Sequence, residues 1–269
     1  MGRGGLRGKG LTVVEFQRFV IAFVLSAVRL GTAMAILPAT SNAMITGLAR
    51  RAAVLAFASL LVPCVRSWMP PGEIQTGVVC LVALKEAVVG LLIGFFASIP
   101  FWVVEGVGGL VDNQCGLTMG EVYSPLSAAP VSTTSLFLSQ LVSTVFFAGG
   151  AFLVFLGAVY GSYSVVPMFG GWPAFAPDAA AFALETADGA METTLVIAAP
   201  LVLMMFLATV GFGLMNRSAP QLNVFFLSMP VKSAICIATL AVYLQYVLDM
   251  LAYGEEGAIL GPVMKLLKG

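Results

Sequence analysis

The sequence predicts an all-α membrane protein of about six long hydrophobic helices, a prediction that three observations carry. Of 269 residues, 59% are hydrophobic and 10% are charged, against roughly 25% charged in a soluble domain, and a water-facing surface cannot be built from that supply. The few charges are spaced as a bilayer demands: residues 87–104, 122–177 and 193–216 contain no Asp, Glu, Lys or Arg. Finally, each apolar stretch approaches the roughly 20 residues that a span needs, and a lone segment in lipid satisfies its backbone groups only as a helix.

In chain order the candidate spans are residues 14–37, 48–65, 77–104, 134–166, 193–215 and 224–252. The first follows a basic start with Arg3, Arg7 and Lys9. No small-residue cleavage site comes after it, so this helix is expected to be retained, not removed as a signal peptide. Three intervening segments are polar. Residues 105–135 hold many glycines, two prolines and polar side chains, which predicts a break in the helix. Residues 167–192, with Pro173, Pro177, Asp178, Glu185 and Asp188, read as an acidic loop with one short helix. Residues 216–233 place Arg217, Pro220 and Lys232 between apolar runs and should bend the chain sharply.

Orientation does not resolve so simply. Basic residues at both ends, including Lys265 and Lys268, suit an even number of spans with both ends cytoplasmic. That arrangement keeps Arg66 inside but puts Arg50, Arg51 and Arg217 outside and the acidic loop inside. Two explanations stay open: ordinary scatter, or hydrophobic helices buried against other subunits instead of crossing lipid. No internal repeat is visible, which weakens the case for a secondary transporter.

Composition also excludes function classes. A formal net charge of zero argues against a nucleic-acid partner. The absence of histidine removes the commonest general base and transition-metal ligand. The four cysteines, Cys64, Cys80, Cys115 and Cys236, form no C-x-x-C pair. No cofactor, metal or catalytic residue is expected, and no nucleotide-binding motif is present.

Four polar features remain. Lys85 and Glu86 are neighbours and so do not face each other, but Glu86, Gly90, Gly94 and Ser98 fall at i, i+4, i+8 and i+12 on one stripe along which a second helix can approach closely. Gly106, Gly108 and Gly109 lead into Asp112, Gln114 and Gly116; irregular backbone there would have to be buried in protein or line an aqueous cavity, as a gate element or a tight inter-subunit loop does. Residues 127–135 offer hydroxyls with no base beside them, the pattern of a helix N-cap and not of a nucleophile. Arg217, with Pro220, Gln221 and Asn223, is a cation beside a helix break, with Glu86, Glu105 and Asp112 as candidate partners.

The blocks KEAVVGLLIG and GVGGLVDNQCG, then SPLSAAPVSTTS, then NRSAPQLNVFFLSMPVK, stand in this order. They resemble the SctT/YscT/SpaR family of type III secretion export-apparatus proteins and its flagellar relative FliR. The resemblance implies a multi-pass subunit of the bacterial inner membrane that joins SctR-type and SctS-type subunits, with an SctU-type subunit nearby, in an export gate for unfolded proteins. It implies an R-type-like part over about residues 11–190 and an S-type-like helical hairpin over about 191–269. It also implies that a plug loop over about residues 106–123 obstructs the closed pore, and that Lys85, Glu86, Gly90, Gly94, Arg217, Pro220, Gln221, Asn223 and Lys232 serve subunit packing and polar contacts. Related sequences often carry an acidic residue eight positions before the Arg of the last block, where this chain has Thr209. The PLSAAPVSTTS block leans toward the injectisome over the flagellar branch. The rivals are a stand-alone channel or secondary transporter lined by Lys85, Glu86, Asp112 and Arg217, and an intramembrane enzyme built on Asp112 and Asp249.

Overall fold

The computed structural model describes residues 4–41, 44–70, 75–116, 132–173, 179–218 and 224–258. Among them are seven α-helices and one 3-10 turn, with no strand: α1 (Gly4–Ile36), α2 (Gly47–Trp68), α3 (Thr76–Cys115), α4 (Thr133–Ala148), α5 (Ala151–Val165), α6 (Ala179–Ser218) and α7 (Val224–Ala258). Five are long and apolar enough to cross a membrane, or six spans if α4 and α5 count as one broken span. The protein is an all-α membrane protein, as its composition requires.

Three expectations are corrected. The stretch expected as one span over residues 134–166 breaks at Gly149 and Gly150, where Gly150 has φ +83°, a conformation that costs glycine nothing. Residues 105–115, expected to be irregular, are the last turns of the 40-residue α3. The acidic segment is largely helical too: Glu185, Asp188 and Glu192 ride on α6, which starts at Ala179. Of residues 216–233, where a sharp bend was expected, residues 219–223 lie outside the described residues, and Lys232 is inside α7. Four helices carry an interior proline, Pro63, Pro100, Pro200 and Pro230, which spans tolerate because neighbouring groups take up the freed carbonyl.

The helices form two compact units. One gathers α1, α2, residues 76–98 of α3, and α5. Its apolar core includes Ala22, Leu25, Val62, Val65, Met69, Tyr163 and Met168. The other gathers residues 99–115 of α3 with α4, α6 and α7. Here Phe101 stacks edge-on against Phe146 at 5.5 Å, and Val104, Val107, Leu138, Val142, Ile197, Leu201 and Met205 are buried.

Candidate functional site

In the first unit the expected stripe on α3 is a seam, and the helix that enters it is α1 of the same chain. A Cβ at Gly90 would fall on the Thr32 hydroxyl and the Arg29 carbonyl, and one at Gly94 would lie 2.6 Å from the Ala33 carbonyl oxygen. Ser98 closes the seam by donating to the Ile36 carbonyl at 3.4 Å. Only glycine allows backbones so near. Gly90 and Gly94 therefore serve intrachain packing and are not open to a partner subunit.

At the head of this seam sits a residue that sequence reasoning passed over. Arg29 of α1 is fully buried, and its Nε and Nη2 donate to the two carboxylate oxygens of Glu86 at 2.7 and 2.9 Å. Its Nη1 donates to Ser162 Oγ at 2.8 Å and Nη2 also to the Val166 carbonyl at 3.0 Å, while the guanidinium lies 3.8 Å over the ring of Tyr163. The planar fork suits this: four donors serve three partners and the flat face meets an aromatic. Lys85, one residue along, points elsewhere. Its ammonium donates to the carbonyls of Pro167, Met168 and Gly170 at 2.7, 2.7 and 3.1 Å, using all three protons on the turn that follows α5. The Tyr163 hydroxyl is buried with no hydrogen-bond partner among the described residues.

In the second unit Asp112 is buried at the C-terminal end of α3 and anchors the start of α4. Its carboxylate accepts from the Ser132 hydroxyl, from the Thr134 backbone N–H at 3.0 Å and from the Thr134 hydroxyl. Ser132 is the N-cap, accepting from the Ser135 N–H at 3.1 Å. The expected N-cap chemistry is present, reinforced by a carboxylate where the helix dipole favours negative charge. The glycines before Asp112 are contact points. A Cβ at Gly108 would collide with the backbone of Ser135, and one at Gly106 would approach Thr194 Cγ2 at 2.9 Å; Gly109 is looser. Ser135 donates to the Glu105 carbonyl at 2.7 Å and Ser139 to the Glu105 carboxylate at 3.3 Å. Gln114 is exposed. Gly116, with φ +73°, ends α3 against Met229 of α7.

The expected partners of Arg217 are thus taken or occupied elsewhere: Glu86 by Arg29, Asp112 by Ser132 and Thr134, Glu105 by Ser139. Arg217 is exposed at the end of α6 and has no ion pair among the described residues. Thr209 donates to the Met205 carbonyl in its own helix. Lys232 is half-buried; Pro220, Gln221, Asn223 and the residues after Gly116 in the expected plug lie outside the described residues.

Such a molecule belongs to the class of multi-pass helical membrane proteins whose buried charges tie helices together. The family model of bacterial export proteins, family 1, matches residues 20–254. The chain is 37% identical to Yop proteins translocation protein T of Yersinia pestis over 245 residues, covering 91% of this chain and 92% of that protein. It is 29% identical over 235 residues to surface presentation of antigens protein SpaR of Salmonella typhimurium, covering 87% of each. It is 25% identical over 229 residues to flagellar biosynthetic protein FliR of Caulobacter vibrioides, covering 85% and 90%. The chain belongs to the family of bacterial export proteins, family 1, and is a multi-pass protein of the inner membrane.

Proposed function

We propose that this protein is a non-enzymatic subunit of a type III secretion export gate, completing a pore of SctR-type and SctS-type subunits, with an SctU-type subunit beside it, for passage of unfolded proteins. The observation that carries this reading is the family match over residues 20–254, joined to 37% identity with a translocation protein along almost its whole length. The identities to flagellar relatives, 25% and 28%, fall below the 37% to the Yersinia protein, which favours the injectisome branch. The division into an R-type-like part and an S-type-like hairpin belongs to this same reading.

The buried charges support it against a stand-alone transporter. Lys85, Glu86 and Asp112 each lie at or below 3% exposure with their hydrogen-bonding capacity spent on protein groups, so none is free to meet a solute. Intramembrane catalysis on Asp112 meets the same objection. Gating in this reading is steric. The segment proposed to obstruct the pore is the one over about residues 106–123; in its described part Gly106 and Gly108 set close contacts with α6 and α4, and Asp112 ties the end of α3 to the start of α4.

Two measurements test the proposal. Purification in mild detergent from cells expressing the whole gate should recover R-type and S-type subunits with this chain; recovery of the chain alone, active in solute uptake, would sink the reading. In the assembled gate, Asp112→Ala should raise closed-state ion leak, whereas an unchanged leak in a correctly assembled complex counts against a plug anchored there.

A further inference from the structure

Between the end of α1 and the start of α2, within the first unit, lies a groove of about 360 Å³ lined by Gly31, Ala35, Arg50, Arg51, Val54 and Leu55. Its rim is cationic, with no compensating ion pair among the described residues. The first turn of α2 holds no acidic residue, and the ion pair among the described residues is Arg29 with Glu86. Arg50 makes one long contact, donating to the Thr40 carbonyl at 3.4 Å, and Arg51 is exposed.

Position along the helices separates the rim from the floor. The membrane-length stretches of the two helices are Glu15–Ile36 and Gly47–Trp68, so the two arginines stand close to the N-terminal end of α2. Val54 and Leu55 lie one turn further in, opposite Gly31. A Cβ at Gly31 would already touch Val54 Cγ1 at 3.6 Å, so any larger side chain there would fill the groove. Guanidinium groups near the end of an apolar, membrane-length helix, above an apolar cleft between two helices, match an amphiphile with a phosphate head and hydrocarbon tail. A free phosphate has no use for the apolar floor.

We propose that this groove binds an anionic glycerophospholipid, with Arg50 and Arg51 on the phosphate and an acyl chain along Gly31, Ala35, Val54 and Leu55. The inference needs only the membrane location, not the export-gate reading. The test is native mass spectrometry of the purified full-length chain with phosphatidylglycerol or phosphatidylcholine of identical acyl chains. The wild type should retain phosphatidylglycerol roughly tenfold better, Arg50→Gln with Arg51→Gln should abolish that preference, and Arg50→Lys with Arg51→Lys should keep most of it. Gly31→Leu should lower retention of both lipids while the arginines stay. Thermal midpoints equal to wild type establish that the variants fold. Equal retention of both lipids by the wild type, or an undiminished preference in the Gln variant, overturns the proposal. Displacement by glycerol phosphate as effective as by lipid would make this a soluble-anion site instead. When the Gln variant is purified from cells expressing the whole gate, loss of a protein subunit with lipid retention unchanged would make it a protein contact, and either result overturns the lipid assignment.

Discussion

Arg29 and Glu86 are each fully buried, so removing one strands the other. Arg29→Leu is expected to lower stability by about 3–5 kcal/mol, read as a fall in the thermal midpoint of the detergent-solubilised chain. Arg29→Leu with Glu86→Leu should recover part of that loss, because the double variant leaves no unpaired charge. Arg29→Lys should behave nearly as badly as Arg29→Leu, since an ammonium cannot serve Glu86, Ser162 and Val166 together. At Tyr163 the sign reverses: Tyr163→Phe keeps the ring under the guanidinium and removes a buried, unpartnered hydroxyl, so its midpoint should match or exceed wild type. Half of this node was legible in the sequence. Glu86 and the glycines stood out by their spacing, but Arg29 is a single charge in an apolar run, and its partners lie 57 and 133 residues away. The signal that marks it is the cost of a lone arginine inside a span, which requires a partner without naming one.

Elements are set here by contacts more than by propensity. Glycine-rich residues 105–116 invite a loop by composition, yet α3 runs on to Cys115 because Gly106 and Gly108 exchange side chains for close approach to α6 and α4. That trade is invisible in one sequence, since the same glycines serve a loop or a seam. The Asp112 anchor gives it a measurable consequence. Asp112→Ala removes acceptors for the Thr134 N–H and for two hydroxyls, costing about 1–3 kcal/mol at the start of α4. Amide exchange at Thr134 should speed up at least tenfold, while exchange in the middle of α5 stays as it was. Uniform acceleration along the chain would show global loosening in place of a lost cap. At the other end of α4, Gly150→Ala forces a side chain into φ +83°, with an expected cost of about 1 kcal/mol in the same thermal assay. The broken span was not foreseen because an unbroken apolar run reads identically whether straight or bent.

For the whole molecule, hydropathy counted apolar helices correctly but says nothing of what covers them. α5 shows why the distinction matters. Gly157 and Gly161 are exposed, one turn apart, and a Cβ at either would meet open space. An exposed glycine inside a helix costs about 1 kcal/mol relative to alanine, and nothing among the described residues offsets that cost, in contrast to Gly90 and Gly94, whose absent side chains admit α1. Small residues four apart are what a second helix needs to pack closely in a membrane. Under the export-gate reading that helix belongs to a partner subunit. Gly157→Leu combined with Gly161→Leu should therefore leave the isolated chain as stable as wild type or slightly more so, judged by its thermal midpoint. The same variant should lower recovery of R-type and S-type subunits when the assembled gate is purified in mild detergent. Undiminished recovery would mean that this face of α5 meets lipid, and that assembly relies on other exposed apolar surfaces, such as Leu203, Phe206, Leu207 and Leu214 on α6.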